Sequence, residues 1–303
     1  MSQTQPHANS GSAVAATKGA KSSAASGRIA WLGRNLSRAR RWAARAARHP
    51  QYSVAVAKTL AGNPDVVIKA LRQGPRRALL ERCNATYPGT GESFSPYEAG
   101  FWGQVYFFDE YEIGALGLSG SPLVLDVGGN VGFFSWRVHD TCPGARIFAF
   151  EPEEANYSRL SRTFEAVGIK GEAVRAAVGD HEGSITLYLR NAFTHSTEAS
   201  MHPEMASGTE EVGLVTLDGF LAQKAITDPV AVLKIDVEGA EVAVLRGATE
   251  TLSRASAVVL EYHSAENLAR CTEILTAQGF HCRPKSYWGA GVAGEGLLLC
   301  YKA

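Results

Sequence analysis

No stretch of the 303-residue chain approaches the roughly 20 consecutive apolar residues that a membrane-spanning helix needs, and the N-terminus has no apolar signal-peptide core. These absences argue against a spanning or secreted protein and lead to the expectation of a cytoplasmic one. Cysteine is scarce and odd in number: Cys83, Cys142, Cys271, Cys282 and Cys300. No pair has metal-ligand spacing, so all five read as reduced, mostly structural thiols. Net charge is absent too, with 30 Lys and Arg against 30 Asp and Glu. The balance hides an asymmetry, because residues 1–48 carry nine basic residues and no acid. The remaining chain is correspondingly acidic, and the basic head suggests an arm that meets an anionic surface. Length and composition otherwise fit one large globular core plus an extension.

Residues 1–27, rich in Ala, Ser and Gly, read as a disordered tail. Over 28–48 the pattern changes. At helical spacing Arg34, Arg38, Arg41, Arg45 and Arg48 share one face, Leu32, Leu36 and Ala43 lie opposite, and Trp31 and Trp42 flank the boundary. A basic amphipathic helix of this kind docks on an anionic membrane or an acidic partner, or packs on its own domain with the arginines solvated. Nucleic acid is disfavoured because no binding module accompanies the arginines. An acid-free start rich in Arg and Ser also has the composition of an organelle transit peptide. Further helix is expected across 52–82, so that 28–93 forms a helical extension ahead of a main domain at 94–303. Residues 94–113 are dense in aromatics, including Phe94, Tyr97, Phe101, Trp102, Tyr106 and Tyr111; they suit a cap over one end of a sheet or a lid over a ligand.

The most informative stretch is 123–134, LVLDVGGNVGFF. An apolar strand runs into a glycine turn (Gly128, Gly129, Gly132) and a helix opens behind it. This is the build of a nucleotide-cofactor turn. Asp126 stands where a strict dinucleotide motif has its first glycine. An acid there opposes a pyrophosphate and suits a cation, which favours S-adenosylmethionine (SAM) over NAD. The next buried strand, 146–150, leads to Glu151, about 20 residues beyond the glycines, where an acid accepts a ribose diol.

A second acidic motif is AVLKIDVEGAE (231–241). Lys234 and Asp236 belong to a strand end, and Glu238 and Glu241 to the head of the next helix. The helix dipole alone accounts for acids in a first turn, but not for Asp236. This group could hold the cofactor's amino-acid portion, orient an acceptor hydroxyl, or bind a divalent ion. At 258–263, VVLEYH, Glu261 and His263 alternate along a strand and face one way. His263 is a candidate general base beside Asp236; Asp236, Glu238 and Glu261 are candidate metal ligands.

From residue 123 strand-like runs (123–127, 146–150, 172–178, 231–236, 257–262, 281–287, 296–302) alternate with helix-like runs (131–139, 153–167, 239–253, 265–278). The alternation predicts an α/β fold with a doubly wound, mostly parallel sheet, ligands at the carboxyl ends of the strands, and a closing antiparallel hairpin. Residues 179–217 interrupt it with two β segments around a polar loop, 191–208, holding His195, Ser196, Ser200 and His202. An insertion so placed is expected to bind the acceptor.

Taken together, LDVGGNVGFFS (125–135), FEPEEANYSRL (150–160), AAVGD (176–180), VTLDGFL (215–221) and LKIDVEGAEVAVLRGA (233–248) resemble the FkbM family of SAM-dependent methyltransferases. The likeness spans about residues 95–290. It departs mildly at Gly129, where the family often has Ala. It implies a Rossmann-like class I methyltransferase that O-methylates a sugar or polyketide-type metabolite. By position, Asp126, Gly128, Gly129 and Asn130 would line the methionine end of SAM, and Glu151 would take the ribose. Val178 to Asp180 would lie beside the adenine, and Asp236 near the transferring methyl. Two other readings are an NAD-dependent oxidoreductase on a similar sheet, disfavoured by Asp126 and the glycine spacing, and a non-catalytic scaffold docking through the basic helix.

Overall fold

The computed structural model describes residues 96–106, 109–190, 198–200, 208–286 and 294–302. The chain divides into two units, 1–58 and 59–303, and every described residue belongs to the second. The expected tail, basic helix and helical extension therefore lie outside the described residues, as do Phe94, His195, Ser196 and His202.

Among the described residues, chain order begins with helix α1 (Pro96–Tyr106) and a 3₁₀ turn (Ile113–Ala115). The main sheet then takes β1 (Leu123–Val127), β2 (Arg146–Phe150) and β3 (Lys170–Val174), connected by α2 (Phe133–Thr141) and α3 (Glu154–Val167). A second, four-stranded sheet follows: β4 (Ala177–Val178), β5 (Gly183–Arg190), β6 (Glu198–Ser200) and β7 (Gly208–Val215). Helix α4 (Leu217–Gln223) returns the chain to the main sheet for β8 (Val230–Ile235). The helices α5 (Glu241–Arg246) and α6 (Thr249–Ser253) lead to β9 (Ala255–Tyr262), and α7 (Ala265–Ala277) leads to the closing pair β10 (His281–Lys285) and β11 (Gly296–Tyr301).

The main sheet has the order β10-β11-β9-β8-β1-β2-β3. The pairs from β9 to β3 are parallel; β11 runs antiparallel to both β9 and β10. This is the expected doubly wound sheet with its terminal hairpin. The central strand β1 is buried end to end and β8 at all but Ala231, as a sheet covered on both faces requires. Leu125, Ile147, Leu233 and Leu260 are fully buried, each contributing about 1.5–3 kcal/mol relative to exposure. The strand order changes direction about β1: the chain steps outward to β2 and β3, then crosses to β8. The crevice beyond the carboxyl ends of β1 and β8 is that switch point.

Local signals fix the helices beneath it. The Glu153 carboxylate caps α3 by accepting from the N–H groups of Ala155 and Asn156, and Gly168 closes the helix at φ 75°. This places Leu160 of α3 under the glycine turn, where a Cβ on Gly129 would sit 3.1 Å from its Cδ2.

Several expectations need correction. The run 172–178 is not one strand: the chain leaves the main sheet after Val174, and Ala177–Val178 pairs with β7 instead. The run 239–253 is two helices, broken at Gly247, where a Cβ would collide with the Gly179 carbonyl at 1.9 Å. The five cysteines are not all reduced thiols. Cys282 and Cys300 form a disulfide, while Cys142 and Cys271 are free and buried. Spacing concealed this pair because the hairpin register, which sets the two residues directly opposite each other with Cα atoms 4.1 Å apart, is a tertiary fact.

Candidate active site

A cavity of about 280 Å³ opens along the carboxyl ends of the strands. Its lining follows the sheet order. At one end lie Val178, Asp180 and the apolar side chains Ile185, Leu187 and Leu214 of the small sheet. Glu151 from the end of β2 comes next, then the turn Gly128–Asn130 from β1, then Lys234, Asp236 and Glu238 from β8 and its loop. Phe101, Tyr111 and Phe134, with Val105, form a largely aromatic wall. The aromatic segment is thus both core and wall: Trp102 and Tyr106 are buried and stacked at 5.3 Å, while Phe101 is 40% exposed at the cavity edge.

The glycine turn has a specific steric cause. A Cβ on Gly128, at φ +78°, would lie 1.7 Å from the carbonyl oxygen of Asp236. Glycine is needed here because the turn after β1 crosses the backbone leaving β8. Asn130 also adopts a left-handed conformation, φ 48°, which asparagine tolerates better than most residues. Its side-chain oxygen accepts from the Val131 N–H at 2.8 Å, and its own N–H points to Glu151 at 2.8 Å.

Glu151 is 6% exposed and accepts also from the Glu153 N–H at 3.1 Å. Burial pushes its carboxyl up to about 7, against the opposing pull of those two backbone donors. Near neutrality it exchanges readily between proton and charge.

Asp126 differs from its expected position. It is fully buried beneath the turn and does not line the cavity. One oxygen accepts from the Ser135 hydroxyl at 2.6 Å, and the other lies 3.2 Å from the Lys234 ammonium. Lys234, paired with Asp126 across the parallel strands, donates to the Gly128 carbonyl at 2.5 Å and stands 3.7 Å from Asp236. Burial alone would lower the Lys234 pKa; the charges of Asp126, Asp236 and Glu261 outweigh it and hold the ammonium protonated. The acid expected to face the ligand lies behind the turn and pairs with a lysine.

At the other end the structure gathers Asp236, Glu261 and His263, each offering a ligand atom within 4.8 Å of the others. Glu238, expected in this metal-ligating group, is outside it, and His263 takes that place. Asp236 follows the last residue of β8, and Glu238 lies in a left-handed turn (φ 51°) ahead of the helix. The Tyr111 hydroxyl donates to Glu261 at 3.3 Å. His263 Nδ1 is 2.7 Å from Glu241, and Nε2 is 3.6 Å from Glu238 and 4.0 Å from Asp236. Burial by itself would lower the imidazole pKa; the hydrogen bond to Glu241 and the charges of Glu238 and Asp236 prevail and raise it to about 9. Asp180, at the far end, is held below the usual carboxylate range by its hydrogen bond to His181.

Sequence reasoning passed over Glu241's place in this cluster and missed Asn267, which donates to Glu241 at 2.7 Å. Strand alternation marked His263; nothing local marked Asn267, which arrives on a separate helix.

A doubly wound parallel sheet closed by an antiparallel hairpin, with an acid at the second strand and a glycine turn at the first, defines a SAM-dependent methyltransferase. Residues 126–282 match the family model described as the methyltransferase FkbM domain, and the chain belongs to that family. Among its relatives, Methyltransferase 1 of Beauveria bassiana is 29% identical over 52% of this chain and 71% of its own length. The 31-O-demethyl-FK506 methyltransferase FkbM of Streptomyces tacrolimicus is 26% identical over 71% of this chain and 89% of its own. The hexuronic acid methyltransferase AglP of Haloferax volcanii is 28% identical over 50% and 60%, respectively. A solved magnesium protoporphyrin IX methyltransferase from Synechocystis PCC 6803 with bound SAM is 13% identical, covering 75% of this chain and 90% of its own, with a TM-score of 0.42. Family membership sets aside the nicotinamide and scaffold readings.

Proposed function

We propose that this methyltransferase acts on a hydroxyl oxygen of a sugar, glycan or polyketide-type metabolite. One observation carries the layout: a buried carboxylate, a glycine turn and an acid cluster follow one another along a single cavity. Glu151 presents a carboxylate able to accept both hydroxyls of a ribose. The cofactor's two remaining parts must then extend in opposite directions. The apolar end at Val178, Ile185, Leu187 and Leu214 suits the flat base, with Asp180 at its margin. The end at Gly128, Gly129, Asn130, Lys234 and Asp236 suits the charged methionine. Asp126 supports that end by fixing Lys234 under the turn. Support for the acceptor class comes from two relatives, named for FK506 and for hexuronic acid.

Bound SAM supplies a methyl group on a sulfonium; the acceptor oxygen bonds to that carbon as the C–S bond breaks and S-adenosylhomocysteine (SAH) departs. The protein's contribution is to align the two reactants and to take the hydroxyl proton. Asp236, which lines the cavity, orients the hydroxyl, and His263 behind it receives the proton once its own imidazole is deprotonated, so turnover by this route rises as pH approaches about 9. The same Asp236, Glu261 and His263 form a donor set for a divalent cation, a second reading that Mn²⁺ calorimetry with wild type and His263→Ala decides. Outside the described residues, 28–48 are proposed to dock peripherally on an anionic membrane or acidic partner.

The test is calorimetry with SAM, SAH and NAD, followed by SAH release over a panel of methyl glycosides, phenols and hydroxylated macrolides. SAM binding without NAD binding, and turnover of a hydroxyl acceptor, are expected. Asp236→Asn should lower turnover by about a hundredfold or more; near wild-type turnover in that variant removes Asp236 from the chemistry.

A further inference from the structure

Glu241 is fully buried. A carboxylate out of water is costly unless all of its lone pairs are engaged, and an apolar residue of similar size is often the more stable choice. Its partners tie it to the turn and the imidazole beside Asp236 and Glu238. One oxygen, Oε1, lies 2.7 Å from His263 Nδ1 and accepts from the Gly239 N–H at 2.9 Å. The other, Oε2, accepts from Asn267 Nδ2 at 2.7 Å. The Asn267 amide is oriented in turn by the Cys271 thiol, 3.6 Å from its Oδ1. Burial first, and then the Glu241 charge, push that thiol up to about 12, so it remains a donor.

We propose that Glu241, held by Asn267 and Cys271, is a positioning residue for methyl transfer: it aims His263 Nε2 at Asp236 and Glu238 and pins the turn that carries these two acids. The geometry serves both tasks through one oxygen. With Nδ1 anchored on Glu241, the ring has only Nε2 to present, and it presents it toward the two cavity-lining acids. Donation from Gly239 fixes the loop between β8 and α5, in which Glu238 (φ 51°) and Gly239 (φ 106°) hold left-handed conformations. A carboxyl group held in this way orients the imidazole and fixes which nitrogen faces the reaction.

The proposal rests on Asp236 and His263 as the proton-handling pair, and its test separates the two ideas. Glu241→Gln keeps the shape but sets an NH₂ group against the Asn267 amide, so the network cannot be satisfied from both sides. In SAH-loaded protein with ¹⁵N-labelled histidine, the strongly hydrogen-bonded Nδ1–H resonance of His263 is expected in wild type and shifted upfield in Glu241→Gln, where at best a neutral amide oxygen replaces the carboxylate as its acceptor. With the panel glycoside, phenol or macrolide turned over fastest, Glu241→Gln should lower kcat about tenfold or more and leave KM for SAM within about twofold. Asn267→Ala, which leaves Glu241 and His263 in place, should give a smaller loss in the same direction, and it carries the decision if Glu241→Gln does not fold. An unchanged Nδ1–H resonance, or an unchanged kcat, in the deciding variant overturns the proposal. A wild-type kcat in His263→Ala overturns the proton-handling reading beneath it.

Discussion

At the scale of the residue, two groups with displaced pKa values give opposite tasks to proton and charge. Glu151 sits near 7 in the free protein because of burial. Ribose hydroxyls donate to its charged form, so SAM affinity should fall as pH drops below about 7, by up to about tenfold per unit. Calorimetry from pH 5.5 to 8.5 reads this, and Glu151→Gln should bind weakly with the slope gone. For stability the two shifts act in one direction. Glu151 has a raised folded pKa, so between 4.5 and about 7 the fold binds a proton that the unfolded chain has lost, and stability declines as pH rises through that window. His263, raised from 6.5 to about 9, contributes stability that is complete below 6.5 and lost as pH rises through 9. The ligand-free protein should therefore melt at a lower temperature at pH 9 than at pH 6; a flat profile would show that neither group is shifted. Gly128→Ala faces both a left-handed φ and the Asp236 carbonyl, and should cost roughly 3 kcal/mol or more, measured by denaturant unfolding. The glycines were legible in the sequence, but the partner demanding the first of them was not.

At the scale of the element, the small sheet supplies part of the cavity wall. The insertion is expected to bind the acceptor; its described strands turn Ile185, Leu187 and Leu214 toward the end of the cavity beyond Glu151, the end proposed for the base. Alternation explains the face: Leu187, Val212 and Leu214 are buried together with Ala177, while Ser184, Thr186 and Glu211 are not. Ile185→Trp should fill the slot and abolish adenosine binding without lowering the melting temperature by more than a few degrees. Adenosine binding equal to wild type would place the base elsewhere. The polar loop joining these strands lies outside the described residues.

At the scale of the whole molecule, charge separates along the chain: nine basic residues and no acids in 1–48, and an acid-rich catalytic body. Deleting 1–48 should abolish binding to anionic vesicles while SAM affinity stays within about twofold, because the described cavity lining comes from residues 101–243; vesicle binding that survives the deletion ends the docking idea. Among the described residues no helix is long and apolar enough to cross a membrane. The sequence by itself determined the alternating α/β architecture, the closing hairpin, and the presence of Asp126, Glu151, Asp236 and His263 at strand ends. Hydrophobic periodicity and glycine turns are local, and local patterns are written along one chain. Only the tertiary structure decided what those residues face. Register put Lys234 beside Asp126 and took that acid out of the cavity, set Cys282 against Cys300, and sent Val178 to a second sheet. A separate helix brought Asn267 to Glu241. Each outcome depends on contacts between segments far apart in sequence, where position is fixed by packing and backbone pairing that no local pattern encodes.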